Sequence, residues 1–249
     1  METKRAYKFR FYPTDEQAKM LAQTFGCARF AYNYMLRQRT DAWFQRQERV
    51  GYHETSAMLT ALKKQPEFAW LNDVSSVPVQ QSLRHLQTAF GNFFAKRNGY
   101  PQFKKKDGHQ SAEYTTSAFK WADNKLTIAK AGVLNIRFSR TIPKTAKVTT
   151  VTVSKDTAGR YFVSMLCTDE VQAKPAAQAK VGIDLGLTHF AILSTGEKIA
   201  SPKAFAANEK KLAKAQRVLA KKQKGSANRK KAKLKVARLH AKIADTRKD

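Results

Sequence analysis

The chain opens on a short alternation of apolar and basic positions. Tyr7, Phe9 and Phe11 alternate with Lys8 and Arg10. A period of two predicts a half-buried strand, because successive side chains point to opposite faces. The outer face of this strand is therefore expected to be basic.

A long helical block follows the strand. Pro13 ends the strand, Thr14 is a good helix N-cap, and Gln17 completes a capping box. From there to about residue 98, apolar side chains recur at helical spacing. They include Phe30, Tyr34, Met35, Leu83, Leu86, Phe90 and Phe93. We interpret them as core residues, since aromatic stripes at this spacing usually pack in cores.

The period of the pattern returns to two between residues 111 and 168. Short apolar alternations are separated by turn residues, and residues 156–159 (DTAG) predict a hairpin turn. Short strands separated by turns favour a small barrel or a sandwich. The strand at residues 7–12 is expected to join this sheet, which makes the helical block an insertion.

The C-terminal part of the chain changes character again. Residues 173–180, rich in Ala, Lys and Gln, are interpreted as a linker, and a new apolar strand begins at Val181. Two narrow apolar stripes flank residues 225–228; they consist of Leu212, Ala215 and Leu219, and of Val236, Leu239 and Ile243. This arrangement predicts two antiparallel helices joined by a short loop.

The net charge indicates what these elements bind. Lys and Arg number 47 against 19 acidic residues, which gives a net charge of +28. Repulsion on this scale opposes compaction. A nucleic acid offsets it well, because each Lys or Arg at a phosphate releases condensed counterions. We therefore predict a nucleic-acid partner over an anionic membrane surface. Residues 202–249 carry half of the surplus, so the helical hairpin is expected to lie along a duplex.

Composition also indicates in which cellular compartment the protein is expected. Hydrophobic residues make up 42% of the chain, which argues against wholesale disorder. Cys27 and Cys167 are interpreted as buried apolar residues without a disulfide, which fits a reducing compartment. Apolar runs stay well short of the ~18 residues of a membrane span. Residues 1–5 do not begin a signal core. We expect a cytoplasmic protein with no membrane partner.

A second basic segment follows the helical block. Residues 99–106 have the sequence GYPQFKKK, in which Gly99 and Pro101 break the preceding helix. Aromatic residues beside lysines can stack on bases and hold phosphates. The alternative is a solvated basic loop.

The sequence VGIDLGLTHFAIL at residues 181–193 is the stretch most suggestive of chemistry. An apolar strand carries one carboxylate, Asp184, between Gly182 and Gly186. A buried Asp is costly unless it is paired or bound to a metal. In ribonuclease H-like folds this strand carries an acidic ligand for Mg²⁺, and two metals held by several carboxylates activate water.

Another class of protein shares this motif. Actin-like and chaperone ATPases also begin with a Gly-Ile-Asp-Leu-Gly hairpin, which contacts nucleotide phosphate and metal. They place the hairpin at the start of a domain, are less basic, and carry a second Asp-x-Gly phosphate loop that this sequence lacks. A buried Asp that caps a turn is the purely structural alternative.

Taken together, these segments resemble the TnpB/OrfB proteins of insertion sequences, which are related to type V CRISPR effectors. The resemblance covers the N-terminal two-thirds of that family. The matching segments are residues 7–13 (opening strand), 26–33 (GCARFAYN, early helix), 70–71, 80–83 and 93–94 (later helices), 100–106 (aromatic-Pro-x-Phe-Lys-Lys element), 182–186 (first RuvC motif) and 222–226 (basic hairpin).

The resemblance implies an α+β multidomain fold. Residues 1–12 and 111–172 would form a wedge β-barrel, with residues 13–110 inserted as a helical recognition lobe. Residues 173–180 would be a linker. Residues 181–249 would be a partial RuvC domain, which is ribonuclease H-like, with a basic helical hairpin.

The resemblance also implies a function. Such proteins bind a structured guide RNA from the transposon end. The RNA pairs with target double-stranded DNA, while the protein reads a short flanking motif. Asp184 would be a catalytic Mg²⁺ ligand. Residues expected to contact nucleic acid are Arg29, Tyr32, Asn33, Lys104, Lys105, Lys106, Lys221, Lys222, Lys224 and Arg229.

The sequence departs from the family pattern after Asp184. The family's RuvC site needs a later Glu and a further Asp, and Cys-x-x-Cys pairs hold zinc. Here the later acids are Glu197, Glu209, Asp245 and Asp249, and no zinc is expected. One carboxylate is a poor Mg²⁺ site. We expect a truncated nuclease that does not cut alone, with a second polypeptide supplying the rest of RuvC. The alternative is a cleavage-deficient RNA-guided binder or repressor.

Overall fold

The computed structural model describes residues 2–170 and 179–248. These residues divide into two compact units, the first formed by residues 2–156 and 160–170, and the second by residues 157–159 and 179–248. Residues 173–178 of the predicted linker lie outside the described residues. Helices and antiparallel sheets are both present, which confirms the α+β class.

The first unit contains eight described strands and three α-helices. The strands are β1 (Glu2–Phe11), β2 (Gln110–Thr115), β3 (Phe119–Ala122), β4 (Lys125–Ile128), β5 (Gly132–Val133), β6 (Ile136–Arg137), β7 (Lys147–Lys155) and β8 (Tyr161–Glu170). The helices are α1 (Asp15–Arg46), α2 (Tyr52–Leu62) and α3 (Ser76–Phe94), with 3₁₀ segments at Pro66–Asn72 and Thr116–Ala118.

Strand β1 lies inside a sheet built mostly from later strands. The order is β2-β7-β8-β1-β6, and β3-β4-β5 form a separate sheet. Strand β1 pairs with β8 along its whole length and with β6 at its end. The predicted joining of this strand to the later sheet is therefore confirmed. Tyr7, Phe9 and Phe11 are buried in the core beside the sheet, as the alternation predicts.

Helix α1 begins at the predicted capping box. The Oγ1 of Thr14 accepts the backbone N–H of Gln17 at 3.3 Å, and the Oε1 of Gln17 accepts the N–H of Thr14 at 3.1 Å. The Nε2 of Gln17 also donates to the carbonyls of Ala131 and Val133 at 3.0 and 2.7 Å. The box therefore starts the helix and attaches its first turn to the region around β5.

Helix α1 contributes to two separate cores. Leu21 and Phe25 pack in the core formed with the sheets. About two turns later, Tyr32, Met35 and Leu36 pack in a second core with residues of α2 and α3. These five side chains lie along one stripe of α1, so the first half of the stripe packs on the sheet layer and the second half on the helical layer.

The two cysteines are free and buried, as predicted. Burial raises the pKa of Cys27 to about 11, and the nearby carboxylate of Asp73 adds to the rise. Burial also raises the pKa of Cys167. Because the thiolate is the reactive form, we expect neither thiol of the native chain to react within minutes with Ellman's reagent at about pH 8. Both should react in concentrated guanidinium chloride, and rapid reaction of a native thiol would contradict its burial.

The second unit contains a small sheet and a helical hairpin. Its elements are β9 (Ile183–Leu185), β10 (His189–Leu193), β11 (Lys198–Ala200), α4 (Ala206–Ala220) and α5 (Ala227–Thr246). The strands are antiparallel in the order β11-β10-β9. Leu212 in the middle of α4 clusters with Ile243 near the end of α5, and Val236 and Leu239 pack beside them. The predicted antiparallel helix pair is thus confirmed.

The first strand of the second unit starts two residues later than predicted. The apolar strand predicted to begin at Val181 begins at Ile183.

Across both described stretches, no helix is long and apolar enough to cross a membrane.

Candidate nucleic-acid interface

Several of the predicted contact residues come together in the first unit. Arg29, Tyr32 and Asn33 lie three and four positions apart on α1, and therefore share one face of the helix. Residues 104–106 lie in the basic segment that connects α3 to β2. The structure brings this segment against that face of α1.

Asn33 holds the backbone of the basic segment. Its Nδ2 donates to the carbonyl of Lys104 at 3.0 Å, and its Oδ1 accepts the N–H of Lys104 at 2.8 Å. The side-chain amide thus satisfies both polar backbone groups of one residue, as a neighbouring strand would. Asn33 fixes the position of Lys104 relative to α1.

Tyr32 supports the side chain of the same lysine. The Nζ of Lys104 lies 4.3 Å from the centre of the Tyr32 ring, a cation–π contact. The ring is only 5% exposed, and burial raises the pKa of its hydroxyl. Desolvation by burial lowers the pKa of the Lys104 ammonium. Stacking of a base on Tyr32 stays a prediction; the observed contact is with Lys104.

Arg29 fixes the next part of the segment through Gln110. Its guanidinium donates to the Oε1 of Gln110 at 2.8 Å. The Nε2 of Gln110 in turn lies 3.0–3.1 Å from the carbonyls of Lys105, Lys106 and Gly108. One glutamine therefore holds the turn that presents the two exposed lysines.

A cleft of about 250 Å³ between α1, α3 and β2 is lined in part by Arg29, Lys104, Lys105, Gly108 and Gln110. Its wall also includes His85 and Glu113, whose Nε2 and Oε2 atoms are 3.0 Å apart. The hydrogen bond to His85 lowers the pKa of the Glu113 carboxyl. The sequence prediction missed Gln110, His85 and Glu113, because no local pattern distinguishes them from ordinary polar residues.

Replacing Asn33 with alanine is expected to release the basic segment locally. The substitution removes two hydrogen bonds to an exposed backbone, each worth about 0.5–1.5 kcal/mol. We expect the amide of Lys104 to exchange with solvent about tenfold faster. Hydrogen exchange would measure this, with Gln38→Ala on the same helix as the control. Unchanged exchange in Asn33→Ala would show that the two hydrogen bonds do not hold the segment.

The second group of predicted residues lies at the turn of the helical hairpin. Lys221, Lys222 and Lys224 are exposed where α4 gives way to α5. Arg229 differs from them, because its guanidinium donates to the carbonyls of Leu219 at 3.1 Å and Lys222 at 2.8 Å. The carbonyl of Leu219 also accepts the N–H of Lys222 at 3.1 Å, and carbonyls in the last turn lack the partner four residues on that a longer helix would give them. Arg229 therefore closes the turn, and its contact with nucleic acid stays a prediction.

Replacing Arg229 with glutamine is expected to loosen this turn. Hydrogen bonds from a charged donor contribute about 1.5–3 kcal/mol in favourable settings, and the half-exposed site reduces this to about 1–2 kcal/mol. The expected result is about tenfold faster amide exchange in the last turn of α4. Lys230→Gln removes the same charge from the neighbouring exposed residue and should leave exchange unchanged. Equal exchange rates in the two variants would rule out the capping role.

Asp184 was predicted to be buried in an apolar strand, and that prediction is wrong. It lies in β9, an edge strand of the small sheet, opposite Ile192 of β10. All three residues of β9 are exposed, because the described part of this unit packs no core against them. An exposed carboxylate needs no partner to offset desolvation.

The donor set around Asp184 does not fit a magnesium site. Mg²⁺ requires near-octahedral oxygen coordination, and two-metal sites use several carboxylates. Among residues 2–170 and 179–248, no cluster of three or more His, Cys, Asp or Glu side chains could hold a metal ion. Asp184 supplies one ligand.

Two family models match the chain. One is described as the probable transposase OrfB of IS605 elements and matches residues 150–249. The other is described as the helix-turn-helix domain of the same OrfB proteins and matches residues 1–48. Together they cover more than half of the chain and name one family. The chain belongs to the OrfB family of IS605 insertion sequences.

Curated OrfB relatives align with the whole chain. A putative RNA-guided DNA endonuclease of Streptomyces pristinaespiralis is 58% identical over 250 residues, which is 100% of this chain. The putative RNA-guided DNA endonuclease InsQ of Escherichia coli K12 is 34% identical over 251 residues. The chain spans 62% of the length of each of these relatives.

Structural likeness to solved proteins is remote. The cryo-EM structure of a CRISPR-Cas12f ternary complex matches 93% of this chain and 58% of that one, with 11% identity and a TM-score of 0.42. The assignment to the OrfB family rests on the sequence matches.

The helix-turn-helix description of the OrfB N-terminal segment is not what this chain shows. Residues 2–11 form strand β1, and residues 15–46 form one uninterrupted helix. A helix-turn-helix requires two helices joined by a short turn. The two family descriptions name a transposase and a helix-turn-helix domain, and neither names an ATPase.

Proposed function

We propose that this chain binds a guide RNA from the end of its insertion sequence and is directed by that RNA to double-stranded DNA. The observation that carries the proposal is the 58% identity, over the whole chain, to a relative named a putative RNA-guided DNA endonuclease. The surplus of positive charge supports it, since guide and target together form a polyanion. Base pairing would read the target, and the protein would read a short flanking motif.

The fold proposed for this function is a wedge β-barrel interrupted by a helical recognition lobe. Strand β1 pairs with β8, while α1, α2 and α3 lie between β1 and β2 in the sequence, which supports an insertion at residues 13–110. Residues 111–172 would complete the barrel, and residues 181–249 would be the first part of a RuvC domain. The exposed lysines of the basic segment and of the hairpin turn would hold the guide–target duplex.

We also propose that the 249-residue chain binds DNA without cutting it. Asp184 matches the first RuvC motif, but one exposed carboxylate cannot hold a catalytic metal pair. Further carboxylates from outside these 249 residues would be needed. The test is incubation of the purified chain, its RNA and a matching DNA duplex with Mg²⁺. The expected result is binding without cleavage, and cleavage that disappears in Asp184→Ala would overturn the proposal.

Guide binding itself is tested by the RNA that the chain retains. The chain would be expressed together with the DNA that flanks its gene, purified at moderate salt, and its bound RNA sequenced. One discrete RNA that ends in sequence derived from the flank is the expected result. Bulk cellular RNA that dissociates steeply with salt would show that charge alone holds it and would overturn guided binding.

A further inference from the structure

The outer face of the five-stranded sheet gathers positive charge. Since Tyr7, Phe9 and Phe11 face the core, Lys8 and Arg10 project from the opposite face of β1. The strand register then extends this face to both neighbours. Arg137 of β6 lies directly opposite Arg10 on one side, and Phe162 of β8 lies opposite it on the other.

This arrangement is unfavourable for the chain alone. Two arginines at directly opposite positions of an antiparallel pair repel each other. Among the residues that the structure describes, no salt bridge joins Lys8, Arg10 or Arg137 to a carboxylate. The Nε of Arg10 is buried yet makes no hydrogen bond within that part of the chain. An unsatisfied charged donor beside a second arginine is unfavourable, and a bound anion near the pair would reduce this cost.

Aromatic rings hold these cations in place. The Nζ of Lys8 lies 4.6 Å from the centre of the Phe162 ring, and the guanidinium carbon of Arg10 lies 5.9 Å from it. The guanidinium of Arg10 is also 5.4 Å from the ring of Tyr12, which is 52% exposed. The face therefore combines fixed cations with an aromatic ring open to solvent.

We infer that this sheet face, formed by Lys8, Arg10, Arg137 and Tyr12, binds an unpaired segment of RNA. The three cations would hold successive phosphates, and the Tyr12 ring would stack on one base. A single strand fits better than a duplex, because only unpaired bases expose a face for stacking. The inference rests on the proposed function, in which the RNA is the guide transcript.

The test compares two double variants that lose equal charge. Arg10→Gln with Arg137→Gln removes two cations from the sheet face. Lys120→Gln with Lys125→Gln removes two exposed lysines from β3 and β4 of the separate sheet. Fluorescence anisotropy would measure binding of a labelled oligouridine RNA over a range of salt concentrations. Thermal unfolding would verify that both variants fold.

The sheet-face variant is expected to bind at least tenfold more weakly at about 0.1 M salt, with the slope of log affinity against log salt reduced by about 1.4. The control pair should change affinity less than threefold and leave the slope unchanged. If the two pairs behave alike, the sheet face is not a binding site. That outcome leaves the proposed function standing as long as the native chain binds RNA. If the native chain binds no RNA, the proposed function fails as well.

Tyr12→Leu separates stacking from charge. The exposed ring contributes little to the core, so the variant is expected to fold normally. Its affinity for oligouridine should fall about tenfold, which lies within the range for one base–aromatic stack. Its affinity for a double-stranded RNA should not change. Equal loss for single-stranded and double-stranded RNA, or no loss for either, would overturn the stacking role.

Discussion

Replacing Lys221, Lys222 and Lys224 together with glutamine is expected to weaken RNA binding about a hundredfold at about 0.1 M salt. The three lysines are exposed at one turn, and the neighbouring Arg229 is occupied by the carbonyls it caps. Each phosphate contact to a duplex adds about 0.9 to the salt slope. Loss of three contacts should therefore reduce the slope for a double-stranded RNA by about 2.7.

Two controls distinguish specific contacts from general charge. The triple substitution with arginine keeps the charge and should keep the affinity within about threefold. Lys120, Lys125 and Lys130 are exposed in the first unit, and glutamine at all three removes the same charge elsewhere. Anisotropy titrations over a range of salt concentrations would measure all three variants. Equal losses in the two glutamine variants would show that the hairpin turn has no special role.

Replacing Phe9 with alanine is expected to destabilise the first unit by about 3–5 kcal/mol. Phe9 is 2% exposed at the centre of the sheet core, with its ring edge-on to Phe138 at 5.0 Å. Removing the ring loses apolar burial and leaves a cavity that the flanking strands cannot fill. A drop in melting temperature of about 10 °C is expected for a unit of this size.

Tryptophan fluorescence is well suited to this measurement. The chain has three tryptophans, Trp43, Trp70 and Trp121, and all lie in the first unit. Denaturant unfolding followed at this signal therefore reports that unit alone. Phe44→Ala is the matched control, since Phe44 is 70% exposed and its loss should cost less than about 0.5 kcal/mol. Similar unfolding midpoints for the two variants would contradict the assignment of the core.

Local patterns in the sequence predicted most of the elements, because those patterns express rules that act over a few residues. The alternation at β1, the capping box of Thr14 and Gln17, and the two stripes of the helical hairpin all describe short-range geometry. The position of β1 between β8 and β6 depends on contacts across the whole first unit. No pattern within β1 specifies its neighbouring strands. For the same reason, the sequence did not predict that Arg10 lies opposite Arg137.

In the candidate site, too, the sequence predicted individual residues but not the contacts between distant segments. The sequence marked Arg29, Tyr32 and Asn33 as special, but it could not show that Asn33 binds the backbone of Lys104, which is 71 positions away. The apolar run around Asp184 correctly predicted a strand. It did not predict that Asp184 is exposed. An apolar composition indicates that a strand should pack against other residues, but it does not show whether such residues are present.

In the proposed function, the RNA carried by this chain selects its DNA. The most direct test is an exchange of guides, in which two RNAs differing only in the variable segment are each bound to the chain. Each complex is then titrated with two DNA duplexes, one matching each guide. Each complex is expected to bind its own match about a hundredfold or more tightly than the other. Equal binding of both duplexes, whichever RNA is present, would contradict it.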